Sequence, residues 1–186
     1  MIFFKKKQEV AGPPIELNAL GGTGPEIQHR EIAARQIEQI VPVKEILYDA
    51  LIKRADRIML DYSRDAVAAQ YMIDGLWHTI DPRDRATGDG MLAVLKTLAG
   101  MKVEERRVRQ EGKFQIEHEQ TKAKFVGTVT CQGVKTGERA IIELAPKKRK
   151  DFKTLDELGM REQVQQKLLE HMRAPQGIVL ISAPPA

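Results

Sequence analysis

Residues able to hold phosphate gather in two stretches of this sequence. In "VEERRVRQEGK", Arg106, Arg107 and Arg109 stand close together and Lys113 follows. Guanidinium groups bind oxyanions through paired N–H donors, so the cluster suits a phosphate or a neighbouring subunit. As charges that follow a helix, the same residues also suit a solvated face. In "GIVLISAPPA" an apolar, strand-like run leads into Ala183, Pro184 and Pro185. A strand that enters a small-residue turn is how a phosphate-binding loop begins, with backbone N–H groups wrapping the anion.

Other chemistries find no constellation. Lys147, Lys148, Arg149 and Lys150 form the densest charge run, but no aromatic residue interleaves it. Without a stacking platform it reads as a solvated connector, and no nucleic-acid partner is expected. His29, His78, His118 and His171 are scattered without metal-ligand spacing. Cys131, the single cysteine, lies in an apolar strand pattern and is expected to be a small buried residue. Trp77 is expected in the core or at a domain interface. Asp74 before Gly75 serves a turn. The Gly21–Gly24 stretch "GGTG" has no Gly-Lys-Ser/Thr after it and reads as linker.

Bulk properties bound the rest. The chain has 186 residues, 42% hydrophobic and 30% charged, with a formal net charge of +4. That is ordinary for a globular protein and too mild a charge to imply an anionic partner. One cysteine excludes a disulfide scaffold and a thiolate zinc cluster within the chain. The opening "MIFFKKKQEV" has its apolar residues before its charges, the reverse of a secretory signal. It is expected to be flexible, with Phe3, Phe4 and Lys5 to Lys7 able to touch a membrane surface.

The elements that would position these residues follow from periodicity. Residues 11–25, rich in Gly and Pro, read as linker. "EIQHREIAARQIEQI" places Ile32, Ile37 and Ile40 near one helical face until Pro42 interrupts. A second helix resumes with Val43, Ile46, Leu47, Ala50 and Leu51 facing a sheet. "RIMLDY" and "AVAAQYMI" flank "SRD" as a hairpin, and Asp74-Gly75 turns the chain into "LWHTI". "DPRDRATGDGMLAVLKTLAGM" returns to helical period through Met91, Leu92, Leu95 and Leu98, with Gly100 as the C-terminal cap. Three strands are expected between 113 and 145. Thr154 and Glu157 have capping-box spacing for a last helix with Val164, Leu168 and Leu169 inward. "GIVLIS" should be a strand. Segregated strands and helices make this an α+β protein.

Five ordered pieces carry a resemblance: "LYDALIKRADRIMLD", "YMIDGL", "LAGMKVEERRVRQEGK", "TGERAIIEL" and "LDELGM…LLEHMRAPQGIVLISAPP". Together they resemble the type II secretion and type IV pilus assembly ATPases over roughly residues 43–186. Residues 1–42, outside it, read as a flexible segment and linker with a short helix, and the resemblance implies a PAS-like α/β domain at 43–146. It implies at 147–186 a connector, then the first helix and strand of a truncated RecA-like P-loop NTPase domain. It also implies a hexameric homo-oligomer, inner-membrane secretion or pilus platform proteins as partners, and a cytoplasmic place, peripheral to the inner membrane. ATP and Mg are implied only where the chain continues into a motor.

The resemblance places Lys113, Arg107, Ala183, Pro184 and Pro185 in the vicinity of the nucleotide. It also shows departures. Ala183 stands where the first Gly of the phosphate loop belongs, and Pro185 has no N–H to donate. Lys113 replaces an arginine and Thr128 another. Gln70 and Met72 stand where arginines are frequent, and Met59 where a histidine belongs. The expected function is the N-terminal assembly and regulatory region of such an ATPase, which alone hydrolyses nothing. A non-catalytic adaptor that keeps the docking domain is the alternative.

Overall fold

A computed structural model describes residues 12–135, 137–148 and 154–182, and the chain divides between Lys148 and Arg149 into two compact units. In the first, the elements run β1 (Ile15–Ala19), α1 (Gly24–Gln36), α2 (Ile40–Ile52), β2 (Arg57–Tyr62), β3 (Ala66–Ile73) and β4 (Leu76–Asp84). They continue with α3 (Arg85–Leu98), β5 (Gln110–His118), β6 (Lys124–Val134) and β7 (Gly137–Pro146). The strands form one seven-stranded sheet ordered β1-β5-β6-β7-β2-β3-β4, antiparallel at every junction.

Strand periodicity sorts this sheet into two faces. Ile58, Leu60 and Tyr62 of β2, Val67, Ala69 and Tyr71 of β3, Phe114 and Ile116 of β5, and Ala140, Ile142 and Leu144 of β7 are all buried. They join Ala34 of α1, Val43, Ile46 and Leu47 of α2, and Met91, Val94, Leu95 and Leu98 of α3 in one core. The other face carries no helix among the described residues of this unit. Asp74 and Gly75 adopt φ of 50° and 80°, the left-handed pair that closes a two-residue hairpin between β3 and β4.

Several expectations are corrected. Residues 15–19, read as linker, are edge strand β1 on β5, with Ile15, Leu17 and Ala19 buried by simple alternation. "GGTG" is a helix start: Thr23 is the N-cap of α1, and its N–H donates to Glu26 Oε2 at 2.7 Å. The helix break comes at residues 37–39 and not at Pro42, which stands in the first turn of α2. There its missing N–H forfeits no intrahelical bond. Ile32 is exposed. β4 runs on through Pro82 to Asp84, tolerated because it is an edge strand with a register shift opposite Val67–Ala69. Trp77, on that edge, is exposed and not core.

The second unit has a 3-10 turn (Asp156–Leu158) and α4 (Glu162–Arg173), neither with a buried residue. Gly159, at φ 71°, ends the turn, so the helix begins beyond the expected Thr154 cap. Val164 is exposed and Leu168 and Leu169 are half-buried. Residues 177–182 have no regular secondary structure, and Ile178, Leu180 and Ile181 are 87%, 91% and 85% exposed. A strand needs a neighbour to bond its backbone, and no described strand pairs with this run.

Candidate functional site: the helix-free sheet face and a cationic cleft

Because adjacent strands are in register, residues far apart in sequence form rows across the helix-free face. One row reads Lys113, Thr128, Glu143, Arg57, Met72 and Trp77. The next reads Glu111, Thr130, Ile141, Met59, Gln70 and Thr79. Lys113 and Thr128 are thus direct cross-strand partners, and Met59 and Gln70 are another such pair. All five of the positions 59, 70, 72, 113 and 128 fall in two neighbouring rows of one face.

Charges on this face are largely matched. Arg57 Nη2 lies 3.0 Å from Glu143 Oε1, and Arg139 Nη2 lies 2.5 Å from Asp61 Oδ2. Asp61 keeps Oδ1 buried without a donor among the described residues. Lys113 is exposed and has no ion-pair partner among the described residues. A single ammonium opposite a hydroxyl can meet one phosphate oxygen. It cannot reproduce the bidentate grip of two arginines.

Arg107 is elsewhere. It borders a cleft of about 900 Å³ with Arg85, Arg106, Lys135 and Glu138. Arg85 comes from the first turn of α3, Arg106 and Arg107 from the loop before β5, and Glu138 and Lys135 from the strand ends of β7 and β6.

The loop is held from beneath. Lys96 Nζ, on the buried side of α3, donates to Glu105 O at 2.6 Å and lies 2.6 Å from Glu138 Oε1. Both side chains are buried, and Glu138 Oε2 has no hydrogen-bond donor among the described residues. Gln110 Nε2 donates to the carbonyls of Lys102 and Glu105, each at 3.0 Å. Glu105 Oε1 accepts the N–H groups of Arg107 and Val108 at 2.8 and 3.1 Å, which holds its carboxyl below the usual carboxylate range. Gly133 permits this, since a Cβ there would press on the backbone of Arg106 and Arg107.

Asp89 takes Arg85 Nε at 3.0 Å and Arg106 Nη1 at 3.3 Å. Arg107 and Lys135 have no ion pair among the described residues. Tyr62, which donates to Gly88 O at 2.8 Å, is pushed well above the ordinary phenol range by burial. Cys131 is buried as expected, and burial followed by the charge of Glu138 pushes its thiol up to about 12. It is no nucleophile.

Of the site residues read from sequence, Lys113 and Thr128 come together, while Arg107 belongs to the cleft. Ala183, Pro184 and Pro185 lie outside the described residues, as do Arg149 and Lys150 of the basic run. Arg85, Lys96, Lys135 and Glu138 were missed. The signal was there for two of them: Lys96 interrupts the apolar stripe of α3, and Glu138 precedes Ala140, Ile142 and Leu144 at alternating inward positions.

Comparison with known proteins follows the same chain segments. The family described as Type II/IV secretion system protein matches residues 32–185. A protein transport protein HofB homolog of Escherichia coli is 27% identical over 139 residues, covering 74% of this chain and 29% of the relative. The type IV pilus assembly ATPase PilB of Thermus thermophilus is 23% identical over 168 residues, 83% of this chain and 19% of its own. The type II secretion system protein E of Pseudomonas aeruginosa is 23% identical over 176 residues, 95% of this chain and 34% of its own. The chain spans about a third or less of these relatives.

Proposed function

This chain belongs to the Type II/IV secretion system protein family, and on that premise we propose that it is an N-terminal assembly and regulatory region of a secretion or pilus ATPase. Residues 12–148 act as a PAS-like docking domain, and residues 154–182 as the beginning of a RecA-like motor domain. In a hexameric ring the docking domain meets a motor domain and shifts as nucleotide is bound and hydrolysed. The ring works beside inner-membrane platform proteins on the cytoplasmic side.

The observation that supports this reading is the grouping of positions 59, 70, 72, 113 and 128 in two rows of one helix-free face. A face without its own helices is available to a neighbouring domain, and Lys113 there offers a positive charge with no ion pair among the described residues. ATP with Mg supplies a phosphoanhydride to be cleaved. Lys113 contributes charge to one phosphate oxygen and Thr128 a neutral hydroxyl. The exposed apolar run 177–182 becomes an interior strand once neighbouring strands of the motor bond to it.

The test is nucleotide binding and turnover by the longest natural reading frame that contains this chain. Mg-dependent turnover that falls when residues 12–148 are deleted supports the regulatory reading. Absence of nucleotide binding by that frame defeats it. It would favour a second reading, a non-catalytic adaptor, for which Thr128, Gln70, Met72 and Ala183 argue, the first three by taking charge away from the same face. A natural stop codon after Ala186 points the same way.

A further inference from the structure

We propose that the cleft bordered by Arg85, Arg106, Arg107 and Lys135 is a separate anion site that takes a small, soluble phosphate-bearing molecule. None of its lining residues belongs to the Lys113 row: the cleft sits at the β6–β7 turn. Four cations from three chain segments converge on one concavity of about 900 Å³, within the range of small-molecule sites. Asp89 serves Arg85 and Arg106, leaving Arg107 and Lys135 without an ion pair among the described residues. Glu138, the one acid bordering the cleft among the described residues, is neutralised by Lys96 at 2.6 Å and so opposes an incoming anion little.

The geometry is prepared in advance. Lys96, Gln110 and the Glu105 carboxylate fix the loop that presents Arg106 and Arg107, so little ordering remains to be done when a ligand arrives. Guanidinium forks match phosphate oxygens in pairs. No aromatic residue lines the cleft among the described residues, which argues against a nucleic-acid strand. The site is a concavity backed by a buried ion pair, whereas a bilayer engages protruding surface. Soluble phosphate esters and pyrophosphates therefore fit better than a lipid surface.

Titration of inorganic pyrophosphate into the intact chain, followed by backbone amide resonances, tests the proposal. Saturable shifts are expected at Arg107, Gly133 and Lys135, weakening as salt rises. Combined Arg107→Ala and Lys135→Ala raises the dissociation constant about tenfold or more, while Lys113→Ala leaves it unchanged. Both replaced side chains are exposed, so thermal melting of the double variant should match the parent. Unsaturable shifts, shifts centred on Lys113, or indifference to the double variant overturn the proposal. So does binding to anionic phospholipid vesicles in preference to pyrophosphate, if the same double variant abolishes it. Loss of nucleotide turnover in the longer reading frame bears only on the motor reading, so the two can fail separately.

Discussion

The two faces of the single sheet share strands and differ in almost everything else. Phe114, Ile116, Val129, Cys131, Ile58 and Ile142 look toward the helices and are fully buried. Their immediate neighbours Lys113, Gln115, Thr128, Thr130, Arg57 and Ile141 look the other way, and most keep partial or full exposure. The two-residue period of a strand therefore separates residues that hold the fold from residues that can meet a partner. Consecutive positions should respond to mutation very differently.

The largest effect is expected on the helix side. Phe114→Ala removes a fully buried ring and should cost about 3–5 kcal/mol in urea unfolding. If Lys113→Ala, one residue away, costs as much, the division between the faces is wrong. The buried ion pair comes next. Glu138→Ala leaves the Lys96 ammonium without its carboxylate and should cost about 3 kcal/mol. Replacing both members with apolar residues of similar volume, Lys96→Met with Glu138→Leu, should recover most of the loss. Failure to recover would mean that the Lys96 bond to the Glu105 carbonyl, not the ion pair, is what matters.

A smaller loss is expected where the helix side meets the cleft. Gly133→Ala forces a Cβ against the backbone of Arg106 and Arg107 and should cost about 1–3 kcal/mol. Amide shifts should be concentrated in residues 104–109. Shifts confined to the helix-free face would contradict the placement of that loop.

How much of this was legible in the sequence depends on the range of the interactions involved. The second and third helices and the β2–β7 strands follow from local period and turn chemistry, and Asp74-Gly75 turns as its residue types require. β1 was illegible because five residues after Pro13-Pro14 acquire meaning only through β5, roughly a hundred positions later. The run 177–182 failed in the opposite sense: its composition is that of a strand, but strand structure depends on neighbours outside it. The cross-strand meeting of Lys113 with Thr128 was invisible until register was known. The cleft was invisible because Arg85, Arg107 and Lys135 are joined only by folding.

Acid should distinguish the arginine loop from the core. Glu105 is held below its usual 4.5 by the N–H groups of Arg107 and Val108, and Asp84 below 3.8 by Thr87. A carboxylate depressed in the folded state stabilises it above the unfolded pKa, and that contribution is lost as pH falls through the folded value. Melting temperature should therefore decline below about pH 4.5, and Glu105→Gln should flatten part of that decline. Equal slopes for parent and variant would remove Glu105 as a pH-dependent anchor of the loop.

The smallest stability effect should be the most informative about function. Thr128→Arg adds a guanidinium beside Lys113 on the helix-free face, where no core packing is disturbed, and should shift stability by no more than about 0.5 kcal/mol. If this face meets nucleotide in a ring, the added fork strengthens phosphate contact and nucleotide affinity of the longer reading frame rises about tenfold. If the chain is an adaptor, affinity does not change, and the helix-free face must be read as a surface for protein alone. The same substitution should leave pyrophosphate binding in the Arg107 cleft untouched, since Thr128 is not among the residues that line it. A change in both would mean that the two faces are coupled, and the separation by strand period would hold for stability but not for recognition.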